Sequence, residues 1–496
     1  MVQFLHHHSV GNMYTSLEEN INFLQDSFNN TEDFIIDTLS IDQGKAKVLY
    51  LETLNDQKKI EEFIFRPTEE HNSYDALSAA LESLSHDTTS NLQQIISYLL
   101  EGKSIVLLSG KNKAYAFHTA YQIQRSPEEP DNEKTVRGSH LGFIEDLNTN
   151  ISMLRKRIKN TDLKVEYITL GSASKKKTAI IYMNNLANEE TLKQIRERLH
   201  SISIDTIFAP GYIEEFIEET PLSPFPQNLY TERPDRVEAH LMEGRIAIMS
   251  DNSTDAIILP VTFFAFFQSP DDYNNRFYAG SVFRLFRLFS FIGTLLLPPI
   301  YIALVAFHFE IIPYEMVTLV KSSISGIPFS PFFEAMLMAI TVELIREAGI
   351  RLPSPIGETI GIVGGLIIGD AVVNAGVVSN MMVIVIAMTA IMSFTVTSYE
   401  MSNTVRMLNL PIMIAAALFG FAGIILAVLF IIIHMCKLES FGTPYLSPLT
   451  PLRMQELKDA IVRFPIWSLK HRPIDVKPKK RIRQVNSQEW KHDHER

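Results

Sequence analysis

Hydrophobic and polar positions follow two different regimes along the 496-residue chain. Up to residue 250, apolar residues recur at helix or strand spacing among many charges. From 255 to 435 they form long runs almost empty of charge. In the first regime, DALSAALESLSHDTTSNLQQIISYLLEG (75–102) has helical spacing and runs into SIVLLSG (104–110) and KAYAFHT (113–119), which read as a strand pair. After the polar linker RSPEEPDNEK (125–134) the pattern recurs, with a helix at 144–158, strands at 164–170 and 178–183, and a helix at 188–200. The expected fold class is an α/β soluble N-terminal region of two small subdomains, 1–125 and 135–250. An α-helical polytopic membrane domain of four to five spans should follow over 251–436, with a basic cytoplasmic tail at 437–496.

The second regime opens with AIILPVTFFAFFQ (256–268), too short to span a bilayer and readable either as an interfacial segment or as a buried strand. The first expected span is 288–307, where Pro298 and Pro299 should kink the helix. Arg276, Arg284 and Arg287 precede it, whereas the loop after it holds Lys321 against Glu310 and Glu315, so the positive-inside rule places the N-terminal region in the cytoplasm. A second span at 331–349 carries Glu334, Glu343 and Arg346 as intramembrane charges, together with Glu347; a spacing of three puts Glu343 and Arg346 on one face, where they can neutralise each other. The last, 411–433, qualifies by length and lack of charge.

Between these spans, 359–395 would reach roughly 55 Å as a straight helix, against a hydrocarbon core of about 30 Å. It must tilt, break or double back. Gly361, Gly365, Gly369 and Gly376 share one helical face and should serve helix packing. Beside them runs a second stripe, Asp370, Asn374, Val377 and Met381. A carboxylate at mid-membrane costs roughly 2.5 to 3.5 kcal/mol on insertion scales, so something must offset it. Either this stripe lines a hydrated pore, gated by its apolar members, or Asp370 and Asn374 hydrogen-bond inside the bundle, to Ser379 or Asn380 of a neighbour.

Charge and motifs narrow the function class. With 45 basic against 56 acidic residues the net charge is −11, and no basic stripe suits nucleic acid. The single Cys436 forms no intramolecular disulfide, the first 30 residues lack the pattern of a secretory signal, and His6, His7 and His8 read as a solvated arm rather than metal ligands. GSASKKKT (171–178) and SGKNK (109–113) miss the phosphate-loop spacing, and neither a catalytic constellation nor a cofactor or metal motif stands out, so the expectation is a non-enzyme. PDRVEAHLMEG can start a helix at Pro234 and end it at Gly244; Arg233, Asp235 and Arg236 at its start suit either a subunit contact or a brace between the soluble and membrane halves. Lys470, Arg472, Lys477, Lys479, Lys480, Arg481 and Arg483 suit a cytoplasmic tail, either near anionic lipid or free in solvent.

Five stretches in order carry a resemblance: VRGSHLGFIEDLNTNISMLRKRI (136–158), SPFPQNLYTERPDRVEAHLMEGRIAIMSDNS (223–253), QSPDDYNNRF (268–277), REAGIRLPSPIGETIGIVGGLIIGDAVVNAGVVSN (346–380) and ESFGTPYLSP (439–448). They resemble the A subunit of the GerA family of bacterial spore germination receptors. The resemblance implies a multi-pass protein of the spore inner membrane, with its N-terminal domain and C-terminal tail facing the spore core. Its implied partners are a transporter-like B subunit that recognises the nutrient and a lipoprotein C subunit. It also implies a homo-oligomer, a pentamer, that conducts monovalent cations when nutrient gates it, which favours the pore reading of Asp370. A secondary transporter and a non-conducting receptor scaffold are the alternatives; the transporter expects an internal repeat among the spans.

Overall fold

The computed structural model describes residues 11–41, 44–70, 74–121, 129, 130, 132–351, 365 and 369–485. They divide into two units. One gathers the described residues up to Glu218, Asn228–Pro260 and those from Lys470 on; the other gathers Glu219–Gln227 and Val261–Leu469.

In the first unit, strands β1 (Phe34–Ile41), β2 (Gly44–Leu51), β3 (Asp87–Thr89), β4 (Ser104–Leu108) and β5 (Ala114–Phe117) pair antiparallel in the order β1-β2-β4-β5-β3. Helices α1 (Leu17–Ser27), α2 (Gln57–Ile60), α3 (Arg66–Glu70), α4 (Tyr74–Leu84) and α5 (Leu92–Leu100) accompany them. Ile105 and Leu107 of β4 pack with Leu24, Ile95 and Leu99, while Val106 and Leu108 pack with Ile60, Ile64, Leu77 and Leu81. Both faces of the sheet are therefore covered, which is why SIVLL shows no polar alternation. The helical spacing at 75–102 proves to be divided: Thr88 and Thr89 pair with Tyr115 and Ala114 as an edge strand, and the Asn91 side chain caps a new helix by accepting from the Gln93 and Gln94 amides.

The second subdomain repeats the first. It comprises α6 (Leu147–Arg157), β6 (Leu163–Leu170), β7 (Lys176–Met183), α7 (Glu189–Ser201), α8 (Pro210–Ile217), β8 (Leu229–Thr231), α9 (Pro234–Glu243), β9 (Ile246–Ser250) and β10 (Ala256–Leu259), in the sheet order β6-β7-β9-β10-β8. Counted within each subdomain, both orders are 1-2-4-5-3. Gly102 and Gly244 occupy equivalent left-handed corners, at φ +83° and +96°, between the fourth strand and the helix before it. SGKNK is the hairpin turn between β4 and β5, and GSASKKKT holds the turn between β6 and β7 together with the first three residues of β7. Arg155 of α6 joins the repeats by a bidentate pair to Asp33, with Nε–Oδ2 2.5 Å and Nη2–Oδ1 2.6 Å and both side chains fully buried. Burial pushes the Asp33 carboxyl up; Arg155 and the donating Thr31 and Thr53 hydroxyls outweigh it and hold the group below its ordinary value.

The C-terminal segment from Lys470 to Val485 is a folded strap on the second repeat, not a free basic tail. Arg472 Nε donates to the Met242 carbonyl at 2.7 Å, the Lys479 amide to Leu186 at 2.9 Å, and Val476 is buried. The expected brace at Arg233 is likewise internal to this unit. Arg233 is buried, bonded to Asp235, the Glu133 carbonyl and Thr135, while Arg236 pairs with Glu133.

In the second unit run α10 (Pro270–Asn274), α11 (Phe277–Ala306), α12 (Tyr314–Ile324), α13 (Pro331–Arg351), α14 (Asn380–Phe394) and α15 (Tyr399–Lys437). Among the described residues two helices, α11 and α15, are long and apolar enough to cross a membrane. The expected four to five spans are thus not reproduced by length and composition; α13 carries Glu334, Glu343, Arg346, Glu347 and Arg351, and α14 has only 15 residues. The stretch 256–268 is split between β10 and a buried one-turn helix, Phe263–Phe267, whose rings pack with Phe291 and Tyr445. No interfacial surface remains there.

α11 continues through Pro298 and Pro299. A proline removes the bond to the carbonyl four residues back, here those of Thr294 and Leu295. Asn409 of α15 donates its side-chain amide to both. α15 itself is a hairpin rather than a rod: Gly420 is non-helical at φ +59°, and a side chain at Gly423 would collide with the Ala415 carbonyl. On a straight helix Thr404 and His434 would stand about 45 Å apart. Yet Thr404 donates to the Pro224 carbonyl at 2.6 Å, and His434 lies 2.9 Å from the Ser223 hydroxyl. The expected single span at 411–433 therefore bends in its middle.

Candidate functional site

Residues 369–374 form a helical turn, and Gly376 ends it. Gly376 is left-handed at φ +68°; its amide bonds to the Val373 carbonyl and the Val377 amide reaches back to Val372. These are the two bonds of a Schellman cap with glycine at the position after the helix end. Gly376, expected on a packing face, ends the helical turn. A Cβ built on Gly365, Gly369 or Gly376 meets nothing within 4 Å, and Gly361 lies outside the described residues.

The polar stripe consequently falls on two elements. Asp370 and Asn374 share the helical turn and are exposed, Val377 sits in the link, and Met381 begins α14; the last two are half-buried. In the link Val378 and Ser379 are buried. Ser379 caps α14 by accepting from the Met382 amide at 3.3 Å, and its own amide donates to Glu334 Oε2 at 2.8 Å. Glu334, 1% exposed, thus sets its carboxylate at the positive end of α14. An acid unexplained by hydropathy is explained by a helix terminus.

Glu343 and Arg346 stand one turn apart, 4.0 Å between charged atoms, but each has a closer partner. Glu343 pairs with Arg406 of α15, which also contacts Asn403. Arg346 donates to Ser393 at 2.8 Å and lies 4.3 Å above the Phe394 ring centre. A second cluster was missed from sequence. Asp272 of α10 is 1% exposed and binds Arg284 at 3.1 Å and also Arg287, while Arg284 reaches Asp459 at 3.2 Å. The signal lay in QSPDDYNNRF, whose second acid is followed 12 and 15 residues later by two arginines of α11.

Against known proteins, the family described as "Bacillus/Clostridium GerA spore germination protein" matches residues 22–474. The chain belongs to the GerA family. Spore germination protein B1 of Bacillus subtilis (strain 168) is 39% identical over 95% of this chain and 99% of its own length; spore germination protein KA of the same organism is 36% identical over 95% and 89%. The crystal structure of the N-terminal domain of the A subunit of the Bacillus megaterium spore germinant receptor GerK3 aligns at 27% identity and a TM-score of 0.39, covering 51% of this chain and 98% of that one. As a GerA-family A subunit, the protein has a role in spore germination. The motifs that carried the resemblance include the acid–glycine stretch, so Asp370, Asn374 and their cap lie within the matched region.

Proposed function

We propose that this GerA-family protein is the conducting subunit of a germinant receptor in the spore inner membrane, assembled from several copies, five by family resemblance, around a cation path lined by Asp370 and Asn374. One observation carries the reading: both polar side chains are exposed on the single chain, one turn apart, at a helix end in the unit that holds the apolar helix α11 and the apolar hairpin α15. Facing lipid, the carboxylate would cost roughly 2.5 to 3.5 kcal/mol. Neighbouring copies that enclose water remove that cost and attract cations. Val377, in the link past the Gly376 cap, supplies an apolar constriction where a small backbone change moves the gate. A transporter-like B subunit and a lipoprotein C subunit would bias the closed–open equilibrium, which needs about 5.5 kcal/mol of differential binding to swing from mostly closed to mostly open. The duplication that a transporter would place among its spans lies here in the soluble unit.

Potassium-loaded liposomes holding the receptor test this. Asp370→Ala should lower nutrient-triggered cation flux about tenfold, the effect of losing roughly 1.4 kcal/mol of cation stabilisation. Val377→Ala should leak without nutrient. Unaltered flux in both variants would remove this stripe from the path.

A further inference from the structure

Within the helical unit a cavity of about 660 Å³ opens between α11, α13, α14 and α15. That volume lies in the range that holds a small amphiphile, roughly 300 to 1,000 Å³. Its two ends differ in chemistry. Arg346, Arg406, Glu343, Glu347, Ser393 and Tyr399 line one; Met336, Ile340, Ile386 and Met413 line the other. The order follows from chain direction. α13 and α14 run the same way, tied at Glu334–Ser379 and again at Arg346–Ser393, while the first arm of α15 runs from Tyr399 and Arg406 towards Met413 beside Pro298.

Charge at the polar end does not balance. Glu343 is taken by Arg406, and Glu347 pairs with Arg351 at 2.5 Å. Arg346 keeps Glu343 at 4.0 Å, shared with Arg406, beside a neutral hydroxyl and a ring, and among the described residues its buried Nε makes no hydrogen bond. Counted together, Arg346, Arg351 and Arg406 against Glu343 and Glu347 leave one positive charge in excess around the mouth of an apolar pocket. A buried guanidinium nitrogen without an acceptor costs of order 1 to 3 kcal/mol or more, so the site favours an anionic oxygen. The cluster also stands just ahead of the uncharged run that begins at Pro411, the level at which lipid headgroups meet hydrocarbon.

We infer that this cavity binds one anionic phospholipid of the surrounding bilayer, its phosphodiester on Arg346 and Arg406 and one acyl chain laid between Met336, Ile340, Ile386 and Met413. Bound lipid would then hold α13 and α14 against α15. The inference rests on the helical unit lying in a bilayer and is independent of whether Asp370 lines a pore.

The full chain, purified in detergent and returned to nanodiscs of phosphatidylglycerol, phosphatidylcholine or phosphatidylcholine with oleate, is read by native mass spectrometry for retained lipid. Wild type should keep phosphatidylglycerol in preference to phosphatidylcholine. Arg346→Gln with Arg406→Gln should lower that retention about tenfold or more, the loss expected for charge-assisted hydrogen bonds. Arg346→Lys should restore part of it, and Ala390→Trp, which fills the pocket while leaving both arginines, should abolish it. Circular dichroism melts identify any variant that fails to fold, and the Lys and Trp variants then decide. Equal retention of both phospholipids, oleate displacing phosphatidylglycerol, or undiminished retention in Ala390→Trp would overturn the assignment. Ion flux in the same samples reports separately on the pore.

Discussion

Asp33, Asp272, Glu334 and Asp255 are carboxylates drawn at least partly out of water, and each is accommodated differently. Asp33 has a bidentate arginine, Asp272 two arginines, and Glu334 a helix N-terminus. Asp255 has no cation among the described residues; burial, and then the nearby Glu232 and Glu133, push its carboxyl up to about 6. Because the folded value lies above the unfolded one near 3.8, its stabilising contribution is full below about pH 4 and lost as pH rises through 6. That is worth at most about 3 kcal/mol. Asp255→Asn should therefore be more stable than wild type at pH 8 by up to that amount and equal to it near pH 4, read from urea midpoints across the range. His240, which burial lowers to about 4, titrates alike in both proteins and cancels. A pH-independent difference would refute the account. Little of this was legible beforehand: Arg284 and Arg287 count correctly towards a positive flank, but counting charges cannot show that Asp272 and Asp459 neutralise them.

At the scale of elements, periodicity found α6, α7, β4 to β7 and the apolar helices, because each presents a long run of one period. It missed β1 and β2, where Asp37, Lys45 and Lys47 interrupt the apolar positions, and it missed two breaks. Gly376 and Gly420 look like any other glycine in an apolar run; only the bonds from 376 and 377, and the contacts of Thr404 and His434 with the 223–225 segment, mark them as corners. The α11–α15 pairing yields a test that hydropathy cannot supply. Asn409→Leu should cost about 2 to 4 kcal/mol, since it strands the Thr294 and Leu295 carbonyls. In a Pro298→Ala, Pro299→Ala background the helix's own amides can satisfy those carbonyls, so the same change should cost much less. Thermal unfolding in detergent of the four proteins closes the cycle; equal costs in both backgrounds would show that Asn409 acts by packing alone.

For the molecule as a whole, the recurrence of helix and strand signals past residue 135 was visible, but the identity of the two strand orders was not, since pairing partners are set by long-range register. The repeats meet through Arg155 and Asp33, so Arg155→Ala should destabilise the first unit by about 3 to 5 kcal/mol. Arg155→Met with Asp33→Leu, which removes both charges, should recover most of that in urea unfolding; no recovery would mean that shape rather than charge joins the repeats. The strap has a topological consequence. Polypeptide departs the first unit after Pro260 and rejoins it at Lys470, and one folded body lies on one face of any bilayer. However many times the intervening residues traverse lipid, the tally of crossings is even.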